Sequence, residues 1–289
     1  MSFRGQAAIV GFAELPSVRD LPGRSSNSLL AEVGAAAIRD AGLRKADIDG
    51  LITRGEDIGV LALSEYMQIK PDFCEGVTMH GASGAFSIQL AAAAIHAGFA
   101  NYILCVFGGT RDEALGGVTP ASRRRVIKPS IAGEWDAPFG PVVAANGNYG
   151  LIKQRHMYQY GSKDSQFARM AANQRFNGLT NPNAVFKGQP LTVEDVLSSR
   201  YVCDPIHLLE AVMPCIGGGA VVVTSAERAR TLPNPPVYVL GAGGSAGDHE
   251  HIWQHAGDVT VTAVTRSAPR AYKLAGYGPK DMQFAEMYD

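Results

Sequence analysis

The stretch at residues 77–109 holds the residues whose types and spacing best suit catalysis. It reads as a strand, a tight turn, an apolar helix and a second strand, which is a common setting for a nucleophile. The turn comprises His80, Gly81, Ala82, Ser83 and Gly84. The N-terminus of a helix offers backbone N–H groups and a partial positive charge, which suit an oxygen atom that carries or develops negative charge. Because Gly81 and Gly84 permit close approach to the backbone, we predict that this turn binds an oxyanion.

Two side chains of the turn are open to more than one interpretation. Ser83 either contributes to the site or only caps the helix that follows. His80 is either a general acid or base, or a histidine packed beside the turn.

Other clusters of reactive residues are weaker candidates. His249, His251 and His255 lie close together in "HEHIWQH", but no acidic residue or cysteine follows at ligand spacing, so we predict a polar loop and no metal site. The basic run "RRRVIK" at 123–128 is either a solvated loop or an anion contact. The cysteines are far apart and form no CxxC pair, which indicates reduced thiols in a cytoplasmic protein. They are Cys74, Cys105, Cys203 and Cys215.

The composition excludes several classes of protein. The chain has 289 residues, of which 46% are hydrophobic and 18% are charged, and its formal net charge is -1. No basic excess points to nucleic acid, and no apolar run approaches the roughly 18 residues of a membrane helix. We therefore predict a protein that binds neither nucleic acid nor membrane.

Strands alternate with helices through the first 109 residues, which predicts an α/β protein with a mostly parallel sheet. The third of these strands is predicted at 76–81, and the helix after it at 82–98, closed by Gly98. From about 112 to 215, long loops and amphipathic helices interrupt the pattern. An apolar strand returns within 217–229, and the segment "LPNPP" separates it from another strand, "VYVLGAGG".

The chain also contains an internal repeat. The first copy runs strand, loop, helix and then "AGLRKADIDGLI", and the second runs "VYVLGAGG", loop, helix and then "AGYGPKDMQFAEM". Ala41 precedes Asp47 by the same number of residues as Ala275 precedes Asp281, and a short apolar strand follows each. This pattern favours two copies of one α/β unit. The second copy has no counterpart to residues 74–109, so we expect its sheet to be incomplete or to be completed by a partner chain.

Several segments together resemble the thiolase superfamily, in its sterol-carrier and lipid-transfer-protein branch. They are "AIVGFAE", "DAGLRKADIDGLIT", "GASGAFSIQLAAAAIHAGFANYILCV", "RHMYQYGSKDSQFARMAANQRFN", "LTVEDVLSSRYVCDPIHLLEAVMPCIGGGAVVVTSAERA" and "AGYGPKDMQFAEMYD". The resemblance implies a thiolase fold with two βαβαβαββ-type halves and a helical loop domain inserted in the first. On that plan the first half is 1–111 with 216–232, the inserted domain is 112–215, and 236–289 begins a second half that is truncated in this chain.

The resemblance also indicates which chemistry the turn is able to perform. Thiolases carry Cys-x-Ser-Gly at this turn, and the matching residues here are Gly81, Ala82, Ser83 and Gly84. A glycine has no side chain to acylate, so ping-pong acyl transfer through this turn is excluded.

A second motif of the family falls at Glu286, Met287, Tyr288 and Asp289, where Tyr288 replaces the usual asparagine or histidine. This variant resembles the thiolase-like aldolases of steroid side-chain degradation, which need no cysteine. The resemblance therefore implies Tyr288 as a catalytic residue, with Asp289 beside it, although a half-buried strand residue is the alternative interpretation of Tyr288. His80 is a further catalytic candidate because of its place at the turn. In the family, the region matching Gly217, Gly218 and Gly219 faces the coenzyme A channel, although close packing of strands explains three glycines equally well.

Three functions are compatible with these residues. The leading hypothesis is a retro-aldol lyase that acts on a β-hydroxyacyl-CoA with a bulky, steroid-like side chain and needs no cofactor beyond its thioester substrate. The alternatives are a non-catalytic acyl-CoA or sterol-CoA binding subunit and, with less support, a thiolase-type acyltransferase. The resemblance further implies a homodimer formed through the third strand, and a small zinc-ribbon and OB-fold partner protein.

Overall fold

The computed structural model describes residues 3–54, 59–109, 144–247 and 258–287. The chain divides into two compact units. The first takes Met1–Gly117, Cys215–Gly244 and Arg266–Asp289, and the second takes Val118–Pro214 and Ser245–Thr265. Where the two halves of the duplicated fold divide stays a prediction from the sequence.

The described helices and strands follow one another in a strand–helix order that the insertion interrupts. In chain order they are β1 (Ala7–Glu14), α1 (Ser26–Asp40), β2 (Gly50–Arg54), α2 (Val60–Met67), β3 (Phe73–Val77), α3 (Ser83–Ala97), β4 (Tyr102–Gly109), α4 (Ala144–Tyr160), α5 (Asp164–Gly178), α6 (Val193–Ser198), β5 (Tyr201–Cys203), β6 (Ile206–His207), β7 (Gly217–Ser225), α7 (Ala226–Ala229), β8 (Val237–Tyr238) and α8 (Val264–Ala275).

The first unit contains a six-stranded sheet in the order β3-β2-β4-β7-β1-β8. Strand β2 pairs in parallel with β3 and β4, whereas β7 lies antiparallel between β4 and β1, and β8 is antiparallel to β1. The sheet is therefore mixed rather than mostly parallel by its pairings. The reason is that β7 returns from the inserted segment instead of from a short helical crossover, which would have imposed a parallel pairing.

The two faces of the sheet carry separate apolar cores. Leu104 and Val106 of β4 point to the face covered by α1 and α2, and Ile103 and Cys105 point to the face covered by α3. This alternation is the period of two expected of a strand buried on both faces. Helix α3 rests on its face of the sheet through small and branched residues, namely Ala91, Ala92 and Ile95.

The third strand begins and ends earlier than predicted, at Phe73 instead of residue 76 and at Val77 instead of residue 81, and its end defines the turn of interest. Extended pairing ends because His80 adopts a left-handed φ of 48° and the chain tightens into a 3-10 turn at His80–Ala82. Helix α3 begins directly after it and is closed, as predicted, by Gly98 at a left-handed φ of 78°.

The internal repeat is confirmed by matching local geometry in its two copies. Gly42 and Gly276 have left-handed φ values of 72° and 68°. The Arg44 N–H donates to Asp47 Oδ2 over 2.8 Å, and the Gly278 N–H donates to Asp281 Oδ2 over 2.7 Å. Each aspartate closes a short 3-10 turn.

The packing of strand against helix repeats as well. A Cβ built on Gly11 would collide with the carbonyl oxygen of Ala37 in α1, and one on Gly241 would collide with the carbonyl oxygen of Ala271 in α8. Both glycines therefore let a helix lie directly on an extended segment. Residues 282–287 of the second copy are exposed and pair with no strand among the described residues. Whether the second sheet is truncated stays a prediction.

The second unit is organised around one buried lysine. Lys153 of α4 is 7% exposed, and its Nζ donates to the Pro205 carbonyl oxygen over 2.6 Å and to Glu210 Oε1 over 2.7 Å. The same Nζ lies 3.0 Å from Asp164 Oδ1 at the start of α5. One ammonium group thus links α4 to the start of α5, to Pro205 before β6 and to Glu210 after it, and the carboxylates of Asp164 and Glu210 balance its buried charge.

No helix in the described ranges is long and apolar enough to cross a membrane. A cytoplasmic location stays a prediction from the cysteine pattern.

Gly11→Ala is expected to destabilise the first unit because the added methyl group meets a backbone carbonyl that cannot move without shifting α1. We expect the free energy of unfolding to fall by about 1–3 kcal/mol, the usual cost of overpacking. Urea unfolding followed by circular dichroism measures the change. Gly84→Ala is the control, since a Cβ there meets nothing within 4 Å. Equal stability of the two variants would contradict the close contact between β1 and α1.

Candidate functional site

The turn between β3 and α3 is held by a closed set of short hydrogen bonds. The Met79 N–H donates to Ser83 Oγ over 2.9 Å, and the Ser83 hydroxyl donates to the His80 carbonyl oxygen over 2.8 Å. The Ala82 N–H donates to the Met79 carbonyl oxygen over 3.0 Å. These bonds surround His80 and fix the reversal of the chain.

This geometry leaves backbone donors free where the predicted oxyanion site lies. Within the described part of the chain, no group accepts a hydrogen bond from the N–H of His80 or of Gly81. Both residues are exposed. Since they precede a 15-residue helix, the partial positive charge of its N-terminus adds to these donors. The turn therefore presents N–H groups to a ligand, and Gly81 adds no side chain in front of them.

Ser83 does not act as the helix cap that the sequence allowed. It is the first residue of α3, and its hydroxyl bonds backward to residues 79 and 80 rather than forward to a free N–H of the helix. Its side chain is buried, at 5% exposure. No pattern in the sequence distinguishes this bonding from capping, because both place a serine at the start of a helix.

His80 is an exposed residue in the turn and not the packed histidine of the alternative interpretation. Histidine is one of the few non-glycine residues enriched at left-handed φ, so its backbone conformation here is tolerated at a modest cost. Beside Gly84 the space is open, and a Cβ there would meet nothing within 4 Å. Packing therefore does not require glycine at position 84.

Cys74 and Cys105, on the strands before and after α3, are poorly suited to replace the missing nucleophile of the turn. Cys105 lies on β4 beneath α3, with its Sγ 3.9 Å from the Ser87 carbonyl oxygen, and burial raises its pKa to about 12. Cys74 lies on β3, where burial and then the neighbouring Asp72 raise the pKa of its thiol. Cys203 lies on β5 of the second unit, and Cys215 is exposed in the first. A thiol with a raised pKa is protonated near neutral pH and is a poor nucleophile.

The three glycines of β7 lie at the same end of the sheet as the turn, where β3 and β4 terminate. Gly217, Gly218 and Gly219 pair with the end of β4, whose carboxyl terminus points the same way as that of β3. The sheet order puts β7 three strand spacings from β3, about 14 Å at the usual distance between strands.

Packing alone accounts for part of this glycine cluster. A Cβ on Gly108 would collide with the Gly217 carbonyl oxygen, and one on Gly218 would lie 3.2 Å from the Phe107 carbonyl oxygen. A role for the three glycines in a substrate channel stays a prediction.

Several predicted residues lie outside the described ranges. They are Tyr288, Asp289, His249, His251 and His255. Glu286 and Met287, which precede the predicted tyrosine, are exposed. Among the residues that are described, no three His, Cys, Asp or Glu side chains come together in a way that could hold a metal ion.

Comparison with known proteins places this geometry in context. The model of the thiolase C-terminal domain-like family matches residues 244–289. The chain is 32% identical to a steroid side-chain-cleaving aldolase of Thermomonospora curvata, over 99% of this chain and 74% of that protein. It is 28% identical to the 17-hydroxy-3-oxo-4-pregnene-20-carboxyl-CoA lyase of Mycobacterium tuberculosis, over 99% of this chain and 75% of that protein.

The fold is similar to that of a solved relative. The Ltp2-ChsH2(DUF35) aldolase superposes with a TM-score of 0.85 at 30% identity, covering 96% of this chain and 72% of the other. The fold expected from the sequence motifs is thereby confirmed.

Cys105 should resist alkylation in the folded protein. With a pKa of about 12, its thiol is almost wholly protonated at pH 8, and it is fully buried. We expect iodoacetamide at pH 8 to leave Cys105 unlabelled in the folded chain and to label it after unfolding in urea, as measured by peptide mass spectrometry. The exposed Cys215 serves as the internal control. Rapid labelling of folded Cys105 would show that α3 does not cover it.

Proposed function

Because the chain belongs to the thiolase superfamily, in its sterol-carrier-like branch, we propose that it is a carbon–carbon lyase that cleaves a β-hydroxyacyl-CoA by a retro-aldol reaction. One observation carries the proposal: the turn at the start of α3 keeps the backbone donors of an oxyanion site and has glycine where an acyl-enzyme would need cysteine. The two similar proteins named as an aldolase and a CoA lyase support the same class of reaction.

The reaction needs only groups of the kind this site provides. A base takes the proton of the β-hydroxyl, and the bond between the α and β carbons breaks as a carbonyl forms at the β carbon. The electron pair moves to the thioester oxygen, giving an enolate that the N–H groups at residues 80 and 81 stabilise. Proton transfer to the α carbon then releases a shortened acyl-CoA, so no covalent bond to the protein forms at any point.

Three residues are proposed for the proton transfers. The Tyr288 phenol is suited to accept and return the proton of the β-hydroxyl, with Asp289 beside it in sequence. His80 is the described residue with acid–base chemistry at the turn itself, adjacent to the Gly81 donor. A histidine at a left-handed φ, where glycine would be less strained, is consistent with a use for the side chain.

The proposed substrate carries a branched, steroid-like acyl group. This follows from the names of the two similar proteins, which act on a steroid side chain and on a pregnene carboxyl-CoA. The three glycines of β7, at the same end of the sheet as the turn, are the proposed floor of the coenzyme A channel. No further cofactor enters the proposed chemistry, since the thioester itself stabilises the enolate.

The proposal extends to two kinds of partner. Strand β3 is a sheet edge in this chain, and among the described residues nothing pairs with its outer side, so a second copy is proposed to cover it. The name of the solved Ltp2-ChsH2(DUF35) aldolase joins two components, which supports a partner subunit for this chain as well. The sequence resemblance is the basis for proposing that this partner is a small zinc-ribbon and OB-fold protein.

The homodimer predicts a mass in solution of twice the 30.6 kDa of one chain at micromolar concentration. Light scattering coupled to size-exclusion chromatography measures it, and dilution separates a stable dimer from a weak one. A monomeric mass at every concentration would rule out a homodimer formed through β3.

Tyr288→Phe should lower the turnover of a branched β-hydroxyacyl-CoA by about 10²–10⁴-fold, the usual contribution of a general acid or base. The assay follows the released ketone or aldehyde together with the shortened acyl-CoA by mass spectrometry. Tyr277→Phe is the matched control, since Tyr277 lies in the same copy of the repeat and its ring contacts Arg4. Cleavage by Tyr288→Phe at the wild-type rate would remove this residue from the mechanism.

That outcome would transfer the proton-transfer role to His80. The variant His80→Asn tests it, because asparagine also tolerates a left-handed φ, so a loss of activity reports the imidazole and not the backbone.

A further inference from the structure

We propose that Ser83 is a positioning residue, whose hydroxyl holds His80 in its left-handed conformation and thereby sets the direction of the Gly81 N–H, one of the groups that bind the enolate. This inference rests on the proposed lyase function. It adds a residue that makes no contact with the reacting atoms and acts through the backbone of its neighbours.

The hydroxyl of Ser83 is fully engaged on both sides of His80. It accepts from the Met79 N–H over 2.9 Å and donates to the His80 carbonyl oxygen over 2.8 Å. One oxygen atom therefore bridges the residue before His80 to His80 itself. Because the group is 5% exposed, water is poorly placed to replace it when it is removed.

The conformation that this bridge maintains is an uncommon one. Among the described residues, only Gln68 and His80 have a left-handed φ without being glycine, and Gln68 is the C-cap of α2, a usual position for it. His80 has no such role, since it begins the 3-10 turn before α3. A residue at left-handed φ in a turn persists when its surroundings fix it, and the Ser83 hydroxyl provides two of the bonds that do so.

The direction of the Gly81 N–H depends on how the peptide plane before it is held, and Ser83 holds its carbonyl oxygen through both the hydroxyl and the backbone N–H. The peptide plane between His80 and Gly81 carries both the carbonyl oxygen that Ser83 binds and the Gly81 N–H that has no described acceptor. Because a peptide unit is rigid, fixing its oxygen also fixes its N–H. A relaxation of His80 towards an ordinary φ would rotate that plane and turn the donor away from the enolate.

Ser87 provides a matched control one turn further along α3. It is also buried, at 0% exposure, and its hydroxyl donates to the carbonyl oxygen three residues earlier, that of Gly84, over 2.6 Å. Ser87→Ala therefore removes the same group from the same helix with a comparable loss of a buried hydrogen bond. It does not touch Met79 or His80.

The test compares Ser83→Ala with Ser87→Ala by steady-state kinetics on a branched β-hydroxyacyl-CoA. We expect Ser83→Ala to lower kcat by about 10–100-fold with KM within about twofold of wild type, since misdirecting a donor acts mainly on the transition state. We expect Ser87→Ala to keep the wild-type kcat, and the two variants to unfold at similar temperatures. Ser83→Thr, which restores a hydroxyl, should recover most of the lost kcat.

Equal kcat values for the two alanine variants, with an active wild-type enzyme, would overturn the positioning role alone. A fall in kcat for Ser83→Ala accompanied by a matching fall in unfolding temperature would also overturn it, because the loss would then be one of folding. A wild-type enzyme that cleaves no β-hydroxyacyl-CoA would overturn the proposed function and, with it, this inference.

Discussion

The chain must reverse from an edge strand into a helix within a few residues, and the rest of the candidate site depends on how it does so. His80 makes the reversal at a left-handed φ, so β3 stops at Val77 and α3 starts at Ser83. The helix then returns across the face of the sheet formed by Ile103 and Cys105. Because the turn is this short, the N–H groups at its apex find no acceptor among the described residues and remain available to a ligand.

A second constraint is that helices lie directly on extended backbone, and it operates in both copies of the repeat. At Gly11 and at Gly241, any side chain would collide with a carbonyl oxygen of the helix that packs there. The helix in each copy ends in a left-handed glycine and an aspartate-closed 3-10 turn, which fixes where the next segment begins. In the first copy that segment is β2, the neighbour of β3. The same small contacts that define the fold therefore also determine where the candidate site lies in the sheet.

The sequence predicted much of this and missed what depends on three-dimensional bonding. The repeat, the helix ending at Gly98 and the missing nucleophile at Gly81 were readable, because glycine, spacing and motif order are local signals. The direction of β7 was not, since strand pairing depends on contacts between residues distant in sequence. Nor was the role of Ser83, because a serine at a helix start has the same pattern whether it bonds forward as a cap or backward to the turn. The place of Tyr288 rests on the motif alone.

The central claim is that the enolate forms without an acyl-enzyme, and isotope incorporation tests it most directly. The wild-type protein is incubated in D₂O with a branched β-hydroxyacyl-CoA and no free coenzyme A. The masses of the acyl-CoA product and of the intact protein are then measured by mass spectrometry. The account predicts one deuterium in each shortened acyl-CoA, acquired when the enolate is protonated, and an unmodified protein. A reaction that requires free coenzyme A and leaves an acyl group on a cysteine would contradict it.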